Sequence, residues 1–483
     1  MFLSSALLLA SFSAAQIVGP PQPANLQTCV SQLENYFPSA SLYETYRHGE
    51  RIRQRRFPVA VVYANSESDI KKALLCATGN GYHPVVRSGG HSYEALSSMD
   101  GQLVIDISGY NVVTVNAARK TAVAQVGVRL GNLYTALSPS NLLFPAGTCA
   151  TVGLGGQLSA GGYGMLGRYL GLAIDNVLSF RVMDYQGSVQ IASPSSNPDL
   201  FWAMLGGGGG VYGIMLDATL RLHARPPAIS FGAFSWSNLN TQQLKSFLSV
   251  WQNFAPSTSN ALTTQFMFNG GNTVQLNAKF IGTSAELMNV LQQSGLFTIA
   301  GGGSQYVTDC SDVFCGNWNP YGTPGTNAVP ARYQARDVEN SKTKSDYFRK
   351  LLPDAGLNAV INNVNTMPSG AWIQFEGFGN AGAVATRGDS DTPYPHRVGT
   401  LMSVQYWVVF DASQVEPLDS ANYAWLHKFE ADIVPYVDGS HYEGYIDLDK
   451  PAVSNFGTAN FARLQKIKAK VDPHNVFMNP MFP

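Results

Sequence analysis

Hydrophobic and polar positions follow two styles along this chain. Between residues 57 and 225, short β-branched runs alternate with helix-like segments. "FPVAVVYA", "HPVVRS", "LVIDIS", "VVTV" and "TAVAQVG" predict strands. "SDIKKALLCATGNG" and "RLGNLYTAL" predict helices, the first opened by Ser66 and Asp69 in the spacing of a capping box. From about residue 226 the runs lengthen: "ISFGAFSW", "LTTQFMFN", "TVQLNAKFIG", "AWIQFEGF" and "LMSVQYWVVFD". Helix-like "TQQLKSFLSVWQNF", "SAELMNVLQQSG" and "SDYFRKLL" separate them, which predicts a second α+β domain with a large antiparallel sheet. The last stretch, "FARLQKIKAKVDPHNVF", reads as a helix stopped before Pro473. No repeat and no low-complexity tract interrupts this order.

Glycine breaks the pattern in three places: "VVRSGGHSYEAL" at 85–96, the run from 144 to 180 containing "GTCATVGLGGQLSAGGYG", and "LGGGGGVYGIM". A segment so poor in side chains packs no core, but its bare amides can approach a ligand closely. The spacing points to a bound phosphate-bearing cofactor. Neither a P-loop nor a strand-linked G-x-G-x-x-G with a ribose-binding acid is present, which disfavours an ordinary Rossmann site.

Composition narrows the class. The 483 residues are 45% hydrophobic and 13% charged, with a formal net charge of −1. Such a chain is globular, and it carries no electrostatic footprint for nucleic acid or an anionic membrane. Its length favours roughly two to four domains. The N-terminal "MFLSSALLLASFSAAQ" is apolar, too short to span a bilayer, and ends in small residues, so residues 1–15 read as a signal peptide of a secreted protein. Secretion favours disulfides among the five cysteines. A local Cys310–Cys315 bridge and a Cys29–Cys76 staple leave Cys149 odd: reactive, intermolecular, or bonded to something else. No N-glycosylation sequon is present, and no metal is expected.

"RSGGHS", then "GTCATVGLGGQLSAGGYG", then "GLAIDNV", with "YIDLD" and "FARLQKIKAKVDPHNVF" near the end, resemble the berberine-bridge-enzyme-like flavoproteins of the vanillyl-alcohol-oxidase/PCMH flavin fold. The likeness is strongest to their fungal glucooligosaccharide-oxidase-type members. It implies an α+β architecture: a two-part PCMH-type FAD-binding domain (16–225, resumed at 441–483) around a substrate domain at 226–440. It also implies FAD bonded twice, by His91 to the 8α-methyl and by Cys149 to C6 of the ring, which accounts for the odd cysteine. Arg87, Ser88, Gly89, Gly90 and Ser92 would hold the pyrophosphate, and Val152, Gly153, Gly156, Gly162, Gly164, Gly213, Ile214 and Asn460 would line the rest of the cofactor.

For catalysis the resemblance implies Tyr445, in "HYEGYIDLD", as the base that takes the substrate hydroxyl proton. Glu376 stands where the oligosaccharide-oxidising members carry an acidic partner, an aspartate in glucooligosaccharide oxidase. Trp372, Gln374 and Glu376 alternate, hence share one strand face, and Tyr93 and Gln405 match sugar-site positions. Val152, three residues after the cysteine, matches a gate that admits O2. The expected activity is a monomeric, secreted oxidase turning the anomeric hydroxyl of an oligosaccharide into a lactone and O2 into hydrogen peroxide. Gln265 and Met267 replace an Arg and a Glu that contact sugar in glucooligosaccharide oxidase, so the particular sugar does not carry over. Two rivals stand beside this reading. One is an oxidase or dehydrogenase of an aromatic or terpenoid metabolite; the other is a flavoprotein retired to binding.

Overall fold

The computed structural model describes residues 25–482 apart from 271, 302, 312–314, 316–337, 379–381 and 412–419. The expected signal peptide lies outside the described residues. No helix among them is long and apolar enough to cross a membrane.

Three main sheets organise the described chain. The first runs Glu34–Tyr36, Ala60–Tyr63, Leu103–Asp106, Pro84–Arg87, and its last three strands are parallel. The helix Glu67–Gly79 crosses over between Ala60–Tyr63 and Pro84–Arg87 and begins at the expected capping box, with Ser66 and Asp69 each accepting the other's backbone N–H at 3.1 Å. A second sheet is antiparallel, in the order Val113–Asn116, Thr121–Gln125, Ile214–Arg221, Val177–Met183, Val189–Ala192. Both sheets drain into one apolar cluster, which also buries Phe456, Leu464 and Ile467 of the C-terminal helix Val453–Val471.

The third sheet has seven antiparallel strands: Ser304–Asp309, Ser230–Trp236, Thr273–Phe280, Leu262–Asn269, Ala371–Gly377, Met402–Val409 and Ser341–Phe348. One face is apolar and closed by the helices Thr241–Phe254, Asp354–Val364 and Ala421–Ile433, with Trp251, Val360 and Phe429 buried against Phe266, Ile373 and Tyr406. Alternation along each strand sends its polar residues to the opposite face.

The expected helix in "SDYFRKLL" is corrected: its first half belongs to the strand Ser341–Phe348. The segment alternates charge at Lys342, Lys344 and Asp346, a period of two. Charged side chains look unfit for a buried strand until their ionic partners are known. Both disulfides form as expected, with Cα–Cα separations of 5.7 Å for Cys29–Cys76 and 5.1 Å for Cys310–Cys315, and Cys149 is free.

Candidate active site

A cavity of about 910 Å³ lies between the two apolar cores, near the top of the ~300–1,000 Å³ range of ligand sites. One wall is the glycine-rich backbone. The strand Pro84–Arg87 ends in the turn 88–92, where Gly90 has φ 78°. Arg87 does not line the cavity. Its buried guanidinium pairs with Asp106 at 2.8 Å and donates to the carbonyls of Tyr46 and His48, anchoring the root of the turn. Gly89 and Gly153 touch backbone to backbone: a Cβ on Gly89 would lie 2.1 Å from Gly153 N, and one on Gly153 would lie 2.2 Å from Gly89 N. Glycine is required there to bring the two motifs together. At Gly156 a Cβ would meet nothing within 4 Å, so no protein atom fills the space beside it.

That closure joins the two residues expected to hold the flavin. His91 Nε2 is 3.0 Å from Thr151 Oγ1, and Cys149 Sγ is 3.4 Å from the same oxygen. On its other side His91 Nδ1 meets Glu50 at 2.5 Å. Burial pushes the Glu50 carboxyl up, but His91, Arg51 and Arg129 outweigh it and hold it below the usual carboxylate range.

Of the other expected cofactor residues, Ser88, Gly89, Gly90, Ser92, Val152, Gly153, Gly156, Gly164, Gly213 and Ile214 line this cavity. Gly162 and Asn460, like Arg87, lie outside this lining. Gly162 packs on Ala173 and donates its N–H to the Tyr442 hydroxyl. Asn460 is buried elsewhere, donating to the carbonyls of Asp389, Thr392 and Pro393.

The second wall is the polar face of the seven-stranded sheet. Register stacks its side chains in three rows across adjacent strands: Asn277, Gln265, Glu376, Ser403; then Gln275, Met267, Gln374, Gln405; then Asn269, Trp372, Trp407. Glu376 Oε1 accepts from Gln265 and Gln374 at 2.9 Å each, and Oε2 accepts from Ser403 at 3.4 Å. Burial pushes its carboxyl up to about 7, with these donors pulling the other way. Asn269, Gln275, Asn277 and Trp407 escaped the sequence reading, although polar alternation in "TVQLNAKF" was a usable signal.

Between the walls sits a group of tyrosines. Tyr445 stacks on Tyr93 with ring centroids 5.4 Å apart and 12° between planes, and meets Tyr442 edge-on at 4.9 Å. Gln405 Nε2 donates to the Tyr93 hydroxyl at 2.9 Å, and the Arg51 guanidinium lies 4.5 Å from the Tyr93 ring centroid. Burial, then Glu376 and the neighbouring tyrosines, raise the Tyr445 phenol well above its ordinary value. The Tyr163 hydroxyl is buried at the cavity and has no hydrogen-bond partner among the described residues.

The FAD-binding domain model matches residues 58–193, and the "berberine and berberine like" model matches residues 441–481. The chain is 32% identical to an Aspergillus niger FAD-linked oxidoreductase (pynB) over 99% of its own length and 96% of the relative's. It belongs to the berberine-bridge-enzyme-like FAD-linked oxidoreductases. Two solved structures share its fold. A chitooligosaccharide oxidase superimposes with TM-score 0.84 at 26% identity, covering 94% of this chain and 98% of its own. A berberine bridge enzyme variant that is a reticuline dehydrogenase superimposes with TM-score 0.84 at 25% identity, covering 95% and 99%. The residues present fit the FAD of this berberine-bridge-enzyme-like family: the unfilled space at Gly156 and the unpartnered Tyr163 hydroxyl leave room and polarity for a group the protein does not itself supply.

Proposed function

We propose that this FAD-linked oxidoreductase is a secreted oligosaccharide oxidase, forming a lactone from the anomeric hydroxyl and hydrogen peroxide from O2, with its flavin bonded to His91 and Cys149. The observation that carries the substrate class is the amide wall. Gln265, Asn269, Gln275, Asn277, Gln374 and Gln405 line one face of four adjacent strands. Carboxamides both donate and accept without charge, which suits a neutral ligand rich in hydroxyls. Trp372 and Trp407 add aromatic faces for pyranose rings.

FAD, when bound, supplies the two-electron acceptor. The protein's part is to bind the sugar and manage a proton. Tyr445, on the proposal, takes the proton of the reacting hydroxyl. With its phenol raised, Tyr445 is protonated at neutral pH and can take that proton only as its own phenol proton leaves, and a Glu376 carboxyl pushed up to about 7 is ionised enough there to receive it. Val152 lines the cavity with Cys149, in keeping with access for O2. The N-terminal apolar stretch and the two disulfides support export.

Anaerobic titration with cello-, xylo-, chito- and malto-oligosaccharides tests this. Bleaching of the flavin band by one series, with peroxide once air enters, is expected. Bleaching by aromatic alcohols alone would move the assignment to a secondary-metabolite oxidase, the reading that Met267 in the middle of the amide wall favours. Colour retained on the acid-precipitated chain, and lost only when His91 and Cys149 are both replaced by alanine, is the expected mark of double attachment.

A further inference from the structure

The cavity is framed by a buried ionic joint that the chemistry above does not use. Lys342 Nζ lies 2.5 Å from Glu94 Oε1, 2.5 Å from Asp447 Oδ1 and 3.2 Å from Asp449 Oδ2. Lys344 takes the other Asp447 oxygen at 2.7 Å and reaches Asp449 and Glu430. Glu94 is closed from behind by Arg53 at 2.5 Å and Gln54 at 2.7 Å. Arg53, Glu94, Lys342, Lys344 and Asp447 are all buried.

Taking these charges out of water is costly, and well-packed apolar residues would serve stability as well or better. Their places in the chain give the joint another use. Glu94 directly follows Tyr93, and Asp447 lies two residues after Tyr445. Tyr93 and Tyr445 are the rings that stack over the cavity. Lys342 belongs to the edge strand Ser341–Phe348, in which Ser345 is paired with Gln405, the donor to the Tyr93 hydroxyl. Ser345 Oγ also accepts the Tyr442 N–H at 3.2 Å. Three segments distant in sequence, each carrying one member of the Tyr93–Tyr445–Gln405 group, are therefore pinned to one strand.

We propose that Lys342 is a positioning residue: by bridging Glu94 and Asp447 it sets the Tyr93–Tyr445 stack in the geometry needed for proton removal from substrate. The proposal rests on Tyr445 as the base. Lys342 touches neither substrate nor cofactor, and it acts only through the two carboxylates.

Lys342→Met alone would take one cation from buried carboxylates that share it, leaving Asp447 with Lys344 only, so the informative variant is Lys342→Met/Asp447→Asn. It leaves Glu94 with Arg53 and Lys344 with Asp449 and Glu430. The flavin is expected to remain attached, while anaerobic reduction by the best sugar slows ~10- to 100-fold, the scale of a small misplacement of reacting groups. Reoxidation of the dithionite-reduced flavin by O2 should be unchanged, because that half-reaction does not use the tyrosine pair. Lys342→Arg should keep the reduction rate within about fivefold. Equal losses in both half-reactions, or none in either, would overturn the proposal in favour of a purely structural joint. If no sugar reduces the wild-type flavin, the function assignment fails separately. A crystal structure of the double variant then decides: a displaced Tyr445 ring supports the proposal, and an unmoved Tyr93–Tyr445 stack ends it.

Discussion

On one side of the cavity the wall is backbone, and on the other it is side chains. The motifs around Gly89 and Gly153 exclude side chains because the two segments meet at van der Waals contact. The sheet facing them does the reverse, setting polar side chains on every second residue of four strands. The first wall is fixed by what no residue but glycine can do. The second is assembled from ordinary strand residues, whose identity the strand backbone does not dictate. One scaffold can therefore keep its flavin and vary its substrate, as the chitooligosaccharide oxidase and the reticuline dehydrogenase that share it do.

The largest effect on stability and holoprotein yield should come from the backbone wall. Gly153→Ala places a Cβ 2.2 Å from Gly89 N and Ser88 Oγ. Overpacking of this kind costs about 1–3 kcal/mol and occasionally more, so yellow holoprotein should fall sharply and thermal midpoint with it. Gly156→Ala meets no protein atom, and its apoprotein should melt within about 0.5 kcal/mol of wild type. Equal losses in the two variants would erase the distinction between a packing glycine and a ligand-facing one.

Tyr445→Phe should leave fold and flavin content intact and lower the rate of flavin reduction by ~10²–10⁴-fold, the usual contribution of a general base. Stopped-flow bleaching measures it. Gln405→Leu removes the donor to the Tyr93 hydroxyl. Loss of about 1–3 kcal/mol, roughly 5- to 150-fold in kcat/KM, is expected from leaving that hydroxyl unpaired. An unchanged kcat/KM would mean that the amide wall is not read by the substrate.

The smallest effect is a pH dependence. Glu376 titrates near 7 when folded against 4.5 ordinarily. Between those values the unfolded chain releases a proton that the folded chain keeps, so this group's contribution to stability falls as pH rises through the window and is level above about 7. Glu376→Gln should therefore gain on wild type from pH 4.5 to 7 in melting experiments. The same variant should lose the rise in flavin reduction that accompanies Glu376 ionisation.

Much of this was legible in the sequence, for local reasons. The strand runs, the capping box at Ser66, the glycine turns and the alternation of Trp372, Gln374 and Glu376 are all short-range patterns, and each appears where expected. Where the reading failed, a partner was distant. Lys342, Lys344 and Asp346 disguised a buried strand because Glu94, Asp447 and Tyr406 neutralise or bind them from far along the chain. Arg87 and Asn460 carry motif positions but spend their hydrogen bonds on Asp106, Tyr46, His48 and the loop at 389–393.

By itself the sequence determined a glycine-lined cradle for a phosphate-bearing cofactor, because glycine runs and the residues flanking them encode backbone conformation within a few positions, and its motifs' resemblance to a family implied that the cofactor is a flavin. It also singled out Cys149, since cysteine pairing left it over. Tertiary structure alone decided the amide wall. Which side chains stand beside Gln265 depends on the register of strands far apart in sequence, Gln265 and Glu376 being 111 residues apart, and a one-residue slip would turn the whole row to the other face. It likewise decided that His91 and Cys149 meet at Thr151, a closeness that exists only once two glycines allow two backbones to touch.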